Sequence, residues 1–437
     1  MSNRFFRLDR RELLAGLGTA LASSALKVRL AAARASHTLK LEAAPAAMSL
    51  RPGQSEIPVW ALQGPATVLR VKRGGELEVT FRNGLEVPAV LDWRGIDGAA
   101  AAEPLTAQLP LAPGAETRFA VPLRNAGTFL CDPRLVSDGQ TRPLRPIPLV
   151  IEESESPAVD RDEVFLIEDW RLRPDGTAKT PGTEAADGLP LYTVNGQILP
   201  DFSVRTHQRL RFRFINACQR QVIGLKIEGH DVRVMALDGE PAEPFFARNS
   251  ALVLAPGGRV DVLIDAAVLP GASSQILLHD GREAHPVARL VASNEPPVRS
   301  ASLPLAAALP SNGLPGQLDL KGVLRVDLAL MGQEWVRPLN FSASAPPAFQ
   351  ARAGRTVVLA LVNRAANPTV FHLHGHHFRL LDRLDDGWKP FWLDSLAVEP
   401  GQTQRIAFAA AYPGRWLVEA ISTDWAEPRL VRWYGVG

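Results

Sequence analysis

The chain has 437 residues, 46% of them apolar and 22% charged, with 34 glycines and 36 prolines. That length suggests roughly two to four domains, and the composition excludes a disordered chain, a collagen and a coiled coil. With 48 basic and 46 acidic residues the formal charge is +2, too even for a general nucleic-acid binder. Two cysteines exclude a disulfide scaffold and any Cys-rich zinc or iron–sulfur site.

The N-terminus reads as an address. Arg4, Arg7, Arg10 and Arg11 precede a mildly apolar run from Leu13 to Leu26, and Ala33-Arg34-Ala35 offers small residues for a cut before Ser36. The stretch Asp9-Arg10-Arg11-Glu12-Leu13-Leu14 resembles a twin-arginine (Tat) export signal, so residues 1–35 are expected to be a cleaved signal and the mature protein periplasmic. The alternative is a basic tail ahead of an amphipathic helix. Cleavage would remove seven basic and two acidic residues, lowering the formal charge by five, from +2 to −3. Beyond this segment no run reaches the roughly 18 apolar residues of a membrane span, so no transmembrane segment is expected after cleavage.

The rest reads as strands. Residues 68–83 hold two short alternating runs broken by Gly74-Gly75, and residues 210–216, 260–265, 357–362 and 405–408 continue the pattern. Turn punctuation recurs as Ala-Pro-Gly-Ala (112–115), Ala-Pro-Gly-Gly (255–258), Glu-Pro-Gly-Gln (399–402) and Tyr-Pro-Gly (412–414). Many short strands with Pro/Gly turns predict β-sandwiches or barrels. The basic residues of 205–220 alternate with apolar ones, which reads as a solvated face with an occasional ion pair.

An internal repeat sharpens the organisation. Segments 71–83, 204–216 and 351–363 each run from a turn into an alternating strand that ends in asparagine, at spacings of 133 and 147 residues. One sandwich-sized unit therefore occurs three times. The pattern lapses in the acidic stretch 152–162 and the Ala/Pro-rich stretch 294–315. The expected domains are 36–155, 156–295 and 296–437, with 296–315 as a linker.

Three clusters of residues suggest a family. The middle segment carries Leu191-Tyr192-Thr193-Val194-Asn195-Gly196, then Arg211-Phe212-Arg213-Phe214-Ile215-Asn216-Ala217 and Glu228-Gly229-His230. The last segment carries Phe371-His372-Leu373-His374-Gly375-His376 and Tyr412-Pro413-Gly414-Arg415-Trp416. On these motifs nearly all of the mature chain resembles the three-domain multicopper oxidases, the laccases and bilirubin-oxidase-like enzymes. The resemblance implies an all-β fold of three cupredoxin-like Greek-key sandwiches, with the middle one carrying no copper.

In that family four His-x-His pairs from the outer domains enclose three coppers, since alternation along a strand turns both histidines of a pair to one side. At the first pair this sequence has Asp92-Trp93-Arg94, and at the second Asp132-Pro133-Arg134 after Gly127-Thr128-Phe129. The third survives as His372 and His374, and the fourth is Glu419-Ala420-Ile421. The blue-copper positions, which need His, Cys, His and usually Met, hold Thr369, Ala420, Trp425 and Leu430. The resemblance therefore implies a protein stripped of copper ligands, with no cofactor expected. Asp92, Arg94, Asp132 and Arg134 sum to zero charge and are expected to fill the vacated space as a salt-bridge cluster between domains one and three.

Two functions from different classes follow. The first is a non-enzymatic envelope protein that binds another protein, similar to the Tat-exported, copper-free member of this superfamily that stabilises the bacterial division machinery. The second is a divergent copper-dependent oxidoreductase or single-metal protein using His372 and His374, with His376 sharing their face if Gly375 does not bulge the strand, and with Asp92 or Asp132 as a carboxylate ligand. Otherwise His372 and His374 hydrogen-bond the aspartates of the charge cluster. His230 matches a non-ligand position. Cys131 and Cys218 are left open between an inter-domain disulfide and two buried thiols.

Overall fold

The computed structural model describes residues 36–50, 56–182, 184–185, 189–382 and 387–437; the Tat-like segment 1–35 lies outside them. Six sheets form three two-layer units. A five-stranded and a four-stranded sheet are built from strands between Ser36 and Glu152, a six- and a five-stranded sheet from strands between Arg161 and Ala292, and a four- and a five-stranded sheet from strands between Leu324 and Val436. Among the described residues the only helical turns are four 3-10 segments.

Alternation decides which face of each strand is buried. In the strand Glu76–Asn83, Leu77, Val79 and Phe81 point into the first core while Glu76, Glu78 and Arg82 stay exposed. The two runs on either side of Gly74-Gly75 are separate strands in opposite layers: Leu69–Lys72 pairs with Ile147–Glu152, and Glu76–Asn83 with Glu116–Pro122. Each unit has its own apolar core, centred on Phe81 and Phe129, on Phe165, Phe212 and Phe214, and on Phe371, Phe408 and Trp416.

The three repeats converge on one device. Asn83, Asn216 and Asn363 are buried, and each side chain closes the same clamp. The amide nitrogen donates to a carbonyl in the loop that follows: Val87 at 2.8 Å, Gln221 at 2.9 Å and Asn367 at 2.9 Å. It donates again to Leu111 at 2.8 Å, Leu254 at 2.9 Å and Val398 at 2.8 Å, the residues just before the three x-Pro-Gly turns. The amide oxygen accepts from the backbone N–H two residues on, in Leu85, Cys218 and Ala365. The turn glycines 114, 257 and 401 each donate to the backbone carbonyl of their asparagine. Their φ values of +75°, +83° and +72° lie where only glycine is unstrained. The repeat is thus a strand end tied to a distant turn, once per sandwich.

The basic strand of the second unit is not solvated. All eight residues of Arg209–Asn216 are buried, because one face packs on the second core and the other meets acidic residues. Arg211 bonds Glu153 at 2.7 Å and Asp261 at 2.6 Å, and Arg213 bonds Asp162 at 2.7 Å and Asp261 at 2.9 Å. Thr128 of the first unit donates to the same Asp261 at 2.6 Å. A half-polar strand reads as solvated only while a second domain is out of view. Beside this ionic layer Leu130, Val150, Val164, Leu166, Ile215 and Ala217 form an apolar contact between the first two units. Val90, Leu135, Leu417, Val431 and Trp433 do the same between the first and third.

The expected linker is a docked strap. Leu309 is buried against Met235, Ala236 and Leu263. Asn312 donates to the carbonyl of Ala126 at 2.8 Å and accepts from its N–H at 2.9 Å, while Arg209 holds the carbonyls of Leu303 and Pro304. Cys131 and Cys218 are both free thiols, in the first and second cores respectively, so no disulfide links the domains.

Candidate functional site

The strand Asp92–Arg94 pairs antiparallel with Gly127–Asp132, placing Asp92 opposite Asp132. Across the domain boundary, Thr369–Leu373 pairs with Gly414–Ser422, placing His372 opposite Glu419. These four strands bring Asp92, Arg94, His372, His374 and Glu419 together, all buried. One potential ligand atom from each of Asp92, His372, His374 and Glu419 lies within 4.8 Å of the others.

The Arg94 guanidinium is bonded into that group. Its Nη2 donates to Glu419 Oε1 at 2.6 Å and lies 3.3 Å from Asp92 Oδ2. Its stem runs over Gly257, where a Cβ would approach Cδ to 2.7 Å. Glu419 also accepts from Arg429 Nη1 at 2.8 Å on its other oxygen. Glu419, in sequence one of the residues standing at a lost histidine position, is therefore the chief partner of Arg94, ahead of Asp92. All four charges expected in the cluster are present, but they divide differently. Arg134 grips Asp132 through two bonds of 2.7 and 2.8 Å and turns toward the second sandwich, donating to the carbonyl of Ala217.

The histidines are fixed by their partners. His374 Nδ1 lies 3.0 Å from Glu103 Oε1, and its Nε2 lies 3.0 Å from Glu419 Oε1. A carboxylate only accepts, so both ring nitrogens donate and the ring is an imidazolium. Burial works against that charge, yet Glu103, Asp92 and Glu419 outweigh it and hold the pKa well above the usual histidine value. His372 is the opposite case: burial, reinforced by Arg94, pushes it down to about 3. Its Nδ1 faces the carbonyl of Asp394 and the hydroxyl of Ser395, both at 3.0 Å. Neither histidine's closest partner is the aspartate expected from sequence, although Asp92 Oδ1 stands 3.7 Å from His374.

His376 stands outside the group. The strand ends at Leu373, and Gly375 adopts φ +71°. His376 turns into the third core, where Nδ1 meets the Tyr434 hydroxyl at 2.7 Å and Nε2 accepts from the Tyr412 N–H at 3.1 Å. It is a structural residue in this arrangement: the condition for sharing the face of His372 and His374, an unbroken strand through Gly375, is not met.

Burial raises the Asp92 carboxyl to about 6 despite His374 and Arg94. Burial also works on Asp132, but the charge and hydrogen bonds of Arg134 win and bring it to about 2. A second layer surrounds the group. Arg259 of the second sandwich donates to Asp394 at 2.7 and 3.1 Å and to the carbonyl of Thr128, so it touches all three units. Gly95 makes room for it, since a Cβ there would overlap the guanidinium. His377 meets Asp97 Oδ1 and the carbonyl of Asp238, each at 2.9 Å. Two acceptors again demand two protons; burial opposes the charge, but the charge and hydrogen bond of Asp97, with Glu240 and Asp394, outweigh it and raise the pKa to about 10. Asp97, Glu240 and His377 form a further buried group capped by Asn125 and Asn312. Sequence reasoning missed Glu103, Arg259, Asp394 and His377. Only His377 carried a local signal, its place directly after His376.

The remaining positions are apolar or structural. Ala420 and Leu430 lie opposite each other in the third core, and Ile421 is buried beside them. Thr369 donates to the clamp residue Asn363 at 3.4 Å. Trp425 lies 5.6 Å below the guanidinium of Arg171.

Comparison with known proteins adds the family. Two profiles, each described as multicopper oxidase, match residues 162–272 and 317–433 respectively. Multicopper oxidase MmcO of Mycobacterium tuberculosis is 25% identical over 412 residues, covering 81% of this chain and 78% of that protein. Laccase-1 of Thanatephorus cucumeris is 26% identical over 241 residues, which is 46% of this chain and 39% of the laccase. Among solved structures, a multi-copper oxidase from Pseudomonas thermotolerans superposes with a TM-score of 0.78 at 27% identity, over 93% of this chain and all of that one. Lac15 from a marine microbial metagenome gives 0.75 at 25% identity, over 92% of this chain. The three sandwiches are thus cupredoxin-like, and the chain belongs to the multicopper oxidase family.

Proposed function

We propose that this protein is a periplasmic, Tat-exported member of the family that has exchanged its coppers for an ion-pair network and serves as a non-catalytic scaffold for a protein partner in the cell envelope. One observation carries the proposal: the Arg94 guanidinium is bonded to Glu419 between the very groups that could hold a metal. Three further features support it. His374 has a carboxylate on each ring nitrogen, so it must leave one of them and lose a proton before it can ligate. Two positive charges, Arg94 and His374, repel a cation from the same space. Ala420 stands where blue copper needs a thiolate, and the two cysteines are buried in other cores. The donors present do not fit the family's copper set.

Arg94 and its partners instead join the first and third domains, with Arg259 adding the second. Such a network fixes domain geometry and leaves the outer faces for recognition. A second reading keeps one metal on Asp92, His372, His374 and Glu419, favoured by the 4.8 Å grouping of their ligand atoms and requiring Arg94 to swing out. Oxygen consumption separates the two. The mature protein, with and without added copper, should consume no oxygen with phenols, diamines or cuprous ion, whereas consumption that scales with copper would establish a copper enzyme. Cross-linking in envelope extract should then yield a defined protein adduct; its absence would remove the scaffold role.

A further inference from the structure

A cavity of about 600 Å³ opens on the second sandwich beneath the strap, and no residue of the ion-pair network lines it. Its size suits a small organic molecule. Its apolar lining includes Phe246, Leu263 and Leu305, and Phe246 and Leu305 are 51% and 67% exposed.

One buried polar atom of its lining is left without a partner. His230 is only 5% exposed, and its Nδ1 lies 2.7 Å from the carbonyl of Glu228. A carbonyl only accepts, so Nδ1 carries the proton and Nε2 presents a lone pair. That Nε2 is buried with no hydrogen-bond partner among the described residues, an unfavourable state that a ligand's donor would relieve. Burial holds the ring below the usual histidine pKa and so in the neutral, accepting form.

Charge supplies the other half of the recognition. Lys226 and Arg233 line the cavity and form no ion pair among the described residues. Arg233 lies 5.6 Å over the Phe246 ring, and its Nε has no partner among the described residues. Of the two lining carboxylates, Asp265 is taken up by Arg209 through bonds of 2.7 and 2.8 Å. Asp231 alone then stands against two cations.

We propose that this cavity is a binding site for an organic anion with an apolar or aromatic body and an N–H or O–H donor. The anion meets Lys226 and Arg233, the body lies on Phe246, Leu263 and Leu305, and the donor reaches His230 Nε2.

Two dyes that differ by one group test the site on the mature protein. 8-Anilinonaphthalene-1-sulfonate carries an aromatic body, an N–H and a sulfonate; N-phenyl-1-naphthylamine lacks only the sulfonate. Fluorescence titration should give one site that binds the sulfonate at least about tenfold more tightly, the scale of charge-assisted hydrogen bonds. The double variant Lys226→Gln, Arg233→Gln should reduce that preference to less than about threefold. His230→Phe should weaken both dyes, and Ala306→Trp, which fills the cavity, should abolish both without changing the melting temperature. If His230→Phe does not fold, the exposed Lys226→Gln substitution alone still tests the anion preference. Equal affinity for the two dyes, or sulfonate binding untouched by Ala306→Trp or by the double variant, would overturn the proposal.

Discussion

Replacing Arg94 with alanine removes one guanidinium from two carboxylates that differ in what they have left. Glu419 keeps Arg429 at 2.8 Å and His374 at 3.0 Å. Among the described residues Asp92 keeps only His374 at 3.7 Å as an ionic partner, and its Oδ2 already lacks a hydrogen bond. The loss therefore concentrates on Asp92. Breaking a buried pair costs about 3–5 kcal/mol, and the surviving partners of Glu419 put Arg94→Ala near the lower end, about 3 kcal/mol. At urea slopes of roughly 1–3 kcal/mol per molar, the unfolding midpoint falls by about 1 to 3 M.

The sign of the pH dependence is fixed by Asp92. Its carboxyl already sits at about 6 in the folded protein, above the ordinary 3.8, so its penalty is present above pH 6 and is relieved as pH falls toward 4. Without Arg94 the folded value rises further, and each unit is worth about 1.4 kcal/mol. Arg94→Ala should thus cost clearly less at pH 5 than at pH 8, each measured against wild type at the same pH. Adding Asp92→Asn should recover most of the loss at pH 8. An unchanged midpoint, an equal cost at both pH values, or a double variant no better than the single one would refute the assignment of the network as a buried, charge-matched joint.

Other expectations concern the scaffold and its route. Asn363→Ala leaves two carbonyls and one N–H of the clamp without partners and should cost at least about 3 kcal/mol in urea unfolding, with faster amide exchange at Gly401; a cost below about 1 kcal/mol would mean the turn holds itself. Burial pushes the thiols of Cys131 and Cys218 up, so neither should react with an aromatic disulfide reagent until the protein is unfolded, when both should. Rapid labelling of the native protein would place at least one thiol at the surface. Changing Arg10 and Arg11 to lysine should strand precursor in the cytoplasm, and normal periplasmic accumulation would exclude the Tat route.

Much of the architecture is legible because it is periodic. Strand alternation and x-Pro-Gly turns identify the sandwiches, and the spacing of Asn83, Asn216 and Asn363 counts them. That those asparagines bind those turns is invisible in sequence, since Asn363 and Val398 are 35 residues apart. The basic strand shows the same limit: a two-residue period has no sign for whether the polar face meets water or Glu153, Asp162 and Asp261. At the site, motif spacing locates Asp92, Arg94, His372, His374 and Glu419. It does not give the pairing, because Glu419 lies 325 residues from Arg94 and Glu103 and Asp394 belong to no motif. His376 leaves the face of its neighbours for a local reason, as the left-handed Gly375 ends the alternation on which sharing that face depends.

In the proposed function Arg94, with His374 held as an imidazolium, occupies the space the family fills with copper. Copper stoichiometry tests it most directly. The mature protein is incubated with excess cupric ion, dialysed against a weak chelator and analysed by mass spectrometry for metal per chain, beside Arg94→Ala treated alike. Well under one copper per wild-type chain is expected, with no intense blue absorption and more metal retained once the guanidinium is gone. A full equivalent or more retained by wild type, and lost when His372 and His374 are replaced by alanine, would contradict the claim.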